Sequence, residues 1–231
     1  RPPPCRNPLR ELPINHQVMA SKHTRRTCAA ILRDWEESTT FIDKIIDRHC
    51  TKAGLEPRDR AFVQNITLGI IRNLTLIGTW IDMLRKGKIG NEEQRLLELG
   101  LYQVLLMRVP DHAAVNETVE LARPRARAMV NAVLRRAVRE REELLAIPKT
   151  LPPAQRHSIP EHIYTRWEQQ FGATRAEELA ANAAAPAPLT VRSNPLRGGL
   201  NKQDLEQSQA QAVDGHAGFY QVETLPLEAL A

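Results

Sequence analysis

Apolar residues recur at helical spacing through most of the chain from Ser21 to about Ala146. The first segment carries an apolar stripe formed by Cys28, Ile31, Leu32 and Trp35. Residues at this spacing share one face of an α-helix, so the pattern predicts an amphipathic helix whose apolar side packs on a core. The opposite face is basic and carries Lys22, Arg26 and Arg33.

Turn and cap residues divide this stretch into further helices. Ser38 or Thr39 can cap a second helix, which Gly54 ends in a left-handed conformation. Pro57 is predicted to open a third helix, and a fourth runs through Leu74–Leu84 and ends near Gly87. A capping box at Asn91–Gln94 is predicted to start the next helix, and Asp111 is predicted to cap the one after it. Because no segment of this stretch alternates as a strand does, the sequence predicts an all-α bundle.

The region after residue 147 has a different composition. Prolines mark a linker at its start, and helices are predicted from Pro160 and over Ala176–Ala184. Alternation predicts strands at Leu189–Arg192 and Gly218–Val222, with a helix near Asn201–Gln209 between them. Two strands cannot form an independently stable sheet, so this α+β region is expected to be incomplete by itself.

Positive charge is concentrated in the first part of the chain. Of the 231 residues, the last 71 hold nine acidic and five basic side chains, which leaves 27 basic against 18 acidic residues in positions 1–160. A basic half joined to a mildly acidic half indicates that the first half meets a polyanion. An anionic membrane surface would attract the same charge, so both partners fit the charge alone.

The densest group of arginines flanks an apolar stripe near residue 130. Val130, Val133, Leu134 and Ala137 form the apolar side of this predicted helix, and Arg135, Arg136 and Arg139 project from the other side. The planar guanidinium group suits phosphate better than the ammonium group of lysine does. The helix is therefore interpreted as a phosphate-binding face, with a merely solvated charged face as the alternative. Asn131, like Asn116, is interpreted as a buried amide that joins two helices.

Several function classes are disfavoured. No apolar run reaches the roughly 18–20 residues of a membrane span, and the proline-rich start, interpreted as a loose arm over residues 1–20, lacks the apolar core of a signal peptide. A cytoplasmic protein without a membrane partner is expected. Cys5, Cys28 and Cys50 are too scattered for a disulfide framework or a metal site, and no metal is expected.

Four blocks of the sequence occur in an order that resembles the NusB-like domain at the front of bacterial 16S rRNA cytosine-5 methyltransferases of the RsmB or Sun type. The blocks are Arg58–Ala61 with Gly69–Arg72, Leu99–Gln103, His112–Glu117 and Val130–Arg136. The segment Leu189–Pro195 is similar to the one that precedes the catalytic domain in that family. The resemblance covers about residues 21–231.

The resemblance implies a mainly α fold, with a NusB-like bundle over residues 21–147 and a small α+β linker domain over 148–231. It implies the RNA-recognition part of an enzyme, with 16S rRNA and a C-terminal methyltransferase domain as partners. S-adenosylmethionine is implied for the full-length family, whereas no cofactor and no catalytic residue are expected within this chain. Pro4-Cys5 and Thr27-Cys28 superficially match the family's catalytic dipeptides, but Cys28 lies on the apolar stripe, where a thiol packs rather than reacts.

The predicted RNA-binding residues are Lys22, Arg25, Arg26, Arg33, Arg72, Arg135, Arg136 and Arg139. Low aromatic content disfavours a stacking platform for single strands and favours contacts to the RNA backbone. Two alternatives remain at this stage. One is a NusB-type transcription antitermination factor, which binds RNA and a ribosomal protein, and the other is a purely structural module that docks onto a neighbouring domain.

Overall fold

The computed structural model describes residues 22–107, 109–197, 205–206 and 209–222. Within them the fold is mainly α, as predicted, with eleven α-helices and one small antiparallel sheet. The helices are α1 (Lys22–Glu37), α2 (Ile42–Lys52), α3 (Pro57–Arg72), α4 (Leu74–Leu84), α5 (Asn91–Leu101), α6 (Asp111–Leu121), α7 (Pro124–Arg139), α8 (Arg141–Ala146), α9 (Pro153–Arg156), α10 (Glu161–Phe171) and α11 (Ala173–Ala184). The predicted arm at residues 1–20 lies outside the described residues.

Proline and glycine place the helix ends where the sequence predicts them. Pro57 is the first residue of α3, and Gly54 follows α2 with a φ of +59°. None of the helices in the described part of the chain combines the length and the apolar character needed to cross a membrane.

The predicted side-chain caps are wrong for α2, α5 and α6, and Asp111 is the first residue of α6 rather than its cap. Phe41 precedes α2 without a capping side-chain bond, and the Ser38 hydroxyl instead accepts a bond from the Thr40 amide at 3.3 Å. Gly90 precedes α5, whose Gln94 side chain donates to Glu98 rather than returning to the helix start. A short polar side chain near a helix end has several backbone and side-chain partners to choose from, and local sequence does not decide between them.

One large core holds α1 to α8 together. The predicted stripe of α1 is buried, with Cys28 and Ile31 fully inaccessible, and Trp80 of α4 donates its indole N–H to the Leu144 carbonyl at 2.9 Å. Gly100 of α5 permits close contact with α7, because a Cβ there would lie 2.6 Å from the methyl carbons of Leu134. The helices therefore meet at a distance that a larger residue would prevent.

Helix α5 continues into a π-helical turn at Tyr102–Leu106. The Tyr102 ring packs over Gly69 of α3, where an added Cβ would lie 1.9 Å from the phenol oxygen. Three of the blocks that carry the family resemblance thus meet in the core: Gly69, the Tyr102 turn and Leu134. Their pattern reflects packing between helices.

The chain divides into two compact units between Ala185 and Pro186, later than the predicted boundary between residues 147 and 148. Helices α9 to α11 form a small core of their own from Ala154, Tyr164, Ala176 and Ala180. They belong to the first unit because the α9–α10 connection caps α4: the Ser158 hydroxyl accepts a bond from the Leu76 amide at 3.2 Å.

The second unit contains the sheet β1 (Thr190–Arg192), β2 (Gln211–Ala212) and β3 (Phe219–Gln221) in the order β1-β3-β2. Val191 and Ala212 both pair with Tyr220, so β3 is the central strand. The strands β1 and β3 were predicted, whereas the two-residue β2 is too short for a sequence pattern. The predicted helix at 201–209 lies mostly outside the described residues. Within that range, Leu205 and Glu206 are described and are helical.

Candidate nucleic-acid interface

Arg25 was predicted to bind RNA, and this prediction is wrong. Its side chain is 1% exposed and bonds to two other elements: Nε donates to Gln103 Oε1 at 2.7 Å, and Nη1 pairs with the Glu117 carboxylate. The guanidinium carbon also lies 5.6 Å from the centre of the Phe62 ring. Burial lowers the pKa of Arg25 from its ordinary value, while the Glu117 carboxylate opposes that shift. A buried, paired guanidinium is inaccessible to a phosphate.

The helical wheel contained the signal for this burial. Position 25 lies three residues before Cys28 and seven before Leu32, so it shares their apolar face. Gln103 extends the network, since its amide donates to the Leu99 carbonyl at 2.9 Å. Gln103 and Glu117 belong to two of the blocks that carry the family resemblance, and here they serve the core by satisfying a buried arginine.

Arg26 and Arg33, both exposed, lie on the opposite face of α1 and line a concave surface, as the prediction of an accessible basic face requires. This surface, the α1–α5 groove, has a volume of about 330 Å³. It is lined by Arg26, Ala29, Ala30, Arg33, Glu92, Arg95, Leu96, Leu121 and Arg123. Four guanidinium groups and one carboxylate therefore line this surface together with four aliphatic residues, Ala29, Ala30, Leu96 and Leu121, which we call the aliphatic floor.

Two arginines of the groove, Arg95 and Arg123, were absent from the predicted binding residues. Arg95 Nη1 pairs with Glu36 Oε2 at 2.5 Å, and Arg123 Nη2 pairs with Glu92 Oε2 at 2.5 Å. Arg95 is buried and Arg123 is exposed. Nothing in the local sequence brings these residues to α1, because α5 and the α6–α7 connection reach the groove only through the tertiary fold.

The three predicted arginines of α7 form a second basic surface, the α7 patch, which consists of Arg135, Arg136 and Arg139. Arg135 and Arg139 are exposed. Sixteen residues separate Arg123 from Arg139, which is about 24 Å along a helix. The predicted site is thus divided between two places on the bundle.

The side chains of the α7 patch are partly held by the protein. Arg136 Nε donates to Glu140 Oε1 and its Nη1 to the Leu84 carbonyl, each at 2.8 Å, and the bond to Glu140 raises the pKa of Arg136. Arg135 Nε donates to Asn131 Oδ1 at 2.9 Å within the same helix. The interpretation of Asn131 as an amide joining two helices is therefore wrong, and Asn116 is exposed rather than buried.

The remaining predicted residues lie apart from these contacts. Arg72 is half-buried at the end of α3, where its charge partly offsets the burial that raises the pKa of Tyr102. Lys22 begins α1, but its side chain lies outside the described residues.

Two buried groups of the helical core, the Cys28 thiol and the Glu98 carboxyl, have raised pKa values. Burial raises the pKa of the Cys28 thiol to about 12, which agrees with a packing role rather than a nucleophilic one. Burial also raises the pKa of Glu98 on α5 to about 7, although Gln94 donates a bond to its carboxylate at 3.0 Å. The nearby Glu36 carboxylate acts in the same direction as burial, and Arg95 opposes it.

The helical bundle is similar in sequence to a known protein family and to several curated proteins. A sequence model of the NusB family matches residues 22–139. Among curated proteins, the chain is 31% identical over 197 residues to a protein of Synechocystis sp. named "Probable ribosomal RNA small subunit methyltransferase B". It is 34% identical over 180 residues and 36% identical over 173 residues to proteins of Pseudomonas putida and Vibrio cholerae, each named "Ribosomal RNA small subunit methyltransferase B".

These matches cover most of this chain but a minor share of each relative. They include 81%, 73% and 71% of the chain, against 44%, 38% and 38% of the three relatives in the same order. The chain therefore spans less than half the length of the curated relatives that it matches.

Proposed function

Because the chain belongs to the NusB family, we propose that it is the RNA-binding, substrate-recognition part of an S-adenosylmethionine-dependent 16S rRNA cytosine-5 methyltransferase. The bundle grips the phosphate backbone of the RNA through exposed arginines. A C-terminal methyltransferase domain, which holds the cofactor and forms the carbon–carbon bond, is its partner in this proposal. The protein acts in the cytoplasm.

The observation that carries the proposal is the exposure of guanidinium groups on the segment that matches the NusB family. Arg26, Arg33 and Arg123 at the α1–α5 groove, and Arg135 and Arg139 at the α7 patch, all present accessible side chains. A phosphate oxygen can accept bonds from each of them. The names of the relatives supply the kind of RNA, a small-subunit ribosomal RNA.

A transcription antitermination factor of NusB type is the alternative. The extent of the matches favours the methyltransferase, because the alignments with the relatives run over 173 to 197 residues and so continue past the matched NusB segment. The proposal accordingly assigns residues beyond 139 to the same enzyme.

The test is RNA binding by the full chain as a function of salt. The affinity for a fragment of 16S rRNA, measured by fluorescence anisotropy, is expected to fall linearly on logarithmic scales as salt rises, because each neutralised phosphate releases counterions. The triple variant R135A/R136A/R139A is expected to bind more weakly and with a shallower salt slope. The matched control K149A/R166A/R175A removes the same charge outside the NusB segment and is expected to bind as the parent chain does.

Two results would overturn the proposal. One is an affinity that does not respond to salt, and the other is a loss of affinity in the α7 triple variant that is no larger than the loss in the control. Tighter binding to an antitermination RNA than to any 16S rRNA fragment would favour the alternative function.

A further inference from the structure

The α1–α5 groove is amphipathic in a way that the α7 patch is not. Its aliphatic floor consists of Ala29 and Ala30 of α1 with Leu96 and Leu121, and its other lining residues are charged. Arg26 and Arg33 lie seven residues apart on α1, about 10 Å along the helix, with the two alanines between them. Small residues at this position keep the space open.

The groove matches one chemical unit in size and in polarity. A phosphate ion alone would gain nothing from an aliphatic floor, and an apolar ligand would gain nothing from four arginines. A nucleotide has an apolar base face and a phosphate on each side. The volume of about 330 Å³ lies at the small end of the usual range for ligand sites, which suits a single nucleotide.

The charges of the groove are not equally available. Glu36 holds Arg95 against α5, and Glu92 holds Arg123. Arg33 lies 3.7 Å from Asp34, a loose contact between partly exposed groups. Among the described residues no carboxylate pairs with Arg26. Arg26 and Arg33 can therefore bind a phosphate without breaking a close ion pair within the protein.

Among the residues that the structure describes, Glu92 is the one acidic group that lines the groove. Its Oε2 is engaged by Arg123, and a carboxylate has about four lone-pair sites, so Glu92 retains acceptor capacity for a ligand. A carboxylate accepts a hydrogen bond from an exocyclic amino group, such as N4 of cytosine, and it repels the O4 carbonyl at the same position of uracil. Glu92 is therefore placed to discriminate between the two pyrimidines.

We propose that the α1–α5 groove holds one unpaired nucleotide of the RNA. Arg26 and Arg33 bind its flanking phosphates, the aliphatic floor covers its base, and Glu92 selects a base that carries an amino group. This inference rests on the proposed function and deepens it, since it assigns a single-stranded element and a base preference to one part of the RNA-binding surface. An acidic peptide is the other occupant with matching charge, but it would place carboxylates against Glu92.

The experiment compares a cytidine and a uridine oligonucleotide of equal length, because both pyrimidines stack weakly in the free strand. The full chain is expected to bind the cytidine oligonucleotide about fivefold more tightly, the lower end of what one base contact discriminates. In Glu92→Gln the preference is expected to fall below about twofold, because an amide can face either base. Total affinity is expected to rise, because a negative charge leaves the groove.

A steric variant separates the groove from charge in general. Ala30→Leu fills part of the aliphatic floor without changing the charge. It is expected to lower the affinity for both oligonucleotides several-fold. The control R166A/R175A changes the charge outside the groove and is expected to leave the pyrimidine preference unchanged. Thermal unfolding midpoints of all variants, measured in parallel, show that each variant is folded.

The outcomes distinguish the inference from the function on which it rests. If the chain binds 16S rRNA with the expected salt dependence but shows no pyrimidine preference, or if Ala30→Leu binds like the parent chain, the groove assignment is overturned and the proposed function stands. If the chain binds no RNA, the proposed function fails first. A third outcome concerns an oligoglutamate peptide. If this peptide binds the parent chain but not Ala30→Leu, and does not displace bound RNA, the groove binds a protein partner and the inference is overturned.

Discussion

The α1–α5 groove and the α7 patch are both rich in arginine, but they present their charge differently. The groove is concave and surrounds an aliphatic floor with side chains from three parts of the fold. The α7 patch lies on one helix, and its Arg136 is held by Glu140 and by the end of α4. A row of arginines on one helix suits the outside of a nucleic acid chain, whereas a concave amphipathic site suits a unit that can enter it. Arginine content alone does not determine the kind of RNA contact.

The largest expected effect tests the buried hydrogen-bond network of Arg25, which joins α1 to its neighbours in the core. Arg25→Ala leaves the Glu117 carboxylate and Gln103 without their buried partner, so it is expected to destabilise the chain by about 3–5 kcal/mol. The neighbouring Arg26→Ala removes the same side chain from the exposed face and is expected to change stability by less than about 0.5 kcal/mol. Chemical denaturation of the two variants measures the difference. Equal stability would contradict the buried network.

The second effect uses pH and concerns Glu98, a buried carboxyl group on α5, the helix that also carries Arg95 and Leu96 of the groove. Its pKa rises from the ordinary 4.5 to about 7 in the folded chain, so between these values the folded state keeps a proton that the unfolded chain has released. Stability from this group is present below pH 4.5 and is lost as pH rises through 7, by up to about 3 kcal/mol.

Glu98→Gln is the variant that measures this term. It is expected to flatten the fall in unfolding midpoint between pH 5 and 8 that the parent chain shows, since a neutral amide replaces a carboxyl that must ionise in a buried site. Glu37→Gln, at an exposed position of α1, serves as the control and is expected to keep the slope of the parent chain. Parallel curves for the parent chain and Glu98→Gln would show that Glu98 titrates normally.

A third effect concerns the contact that joins α5 to α7, and hence the groove to the patch. Gly100→Ala places a methyl group 2.6 Å from the Leu134 methyl carbons, so it is expected to cost about 1–3 kcal/mol through overpacking. Gly78→Ala in α4 meets no atom within 4 Å and is expected to stabilise the chain by about 0.5–1 kcal/mol, because alanine favours the helix. The unfolding temperature is expected to fall in Gly100→Ala and to rise in Gly78→Ala relative to the parent chain.

The smallest effect concerns the α7 patch alone. Glu140→Gln frees the Arg136 guanidinium from its charged partner and removes one negative charge near the patch. We expect a modest rise in affinity for 16S rRNA and little change in unfolding temperature, because an exposed i, i+4 pair contributes little to stability. Glu161→Gln, on α10, is the control. A fall in affinity would mean that Glu140 orients Arg136 for the RNA.

Much of the fold was visible in the sequence. The starts of α3 at Pro57 and of α4 at Leu74 were predicted as observed, because apolar spacing, proline and glycine act within a few residues, whereas α4 ends at Leu84, before the predicted end near Gly87. The caps of α2, α5 and α6 were predicted wrongly, since a polar side chain near a helix end has competing partners. No sequence pattern indicates the contact by which Ser158 caps α4, because this bond joins residues 82 positions apart.

The sequence by itself determined that a basic helical bundle would form and that α7 would carry a row of arginines, because periodicity and local charge are properties of a single helix. It also placed Arg26 and Arg33 on the outer face of α1. Only the tertiary structure decided which partners these arginines have and which of them meet one another. Arg25 is buried because its partners on α3, α6 and the Tyr102 turn close over it, and Arg95, Arg123 and Glu92 join α1 in one groove because helix packing brings distant segments together.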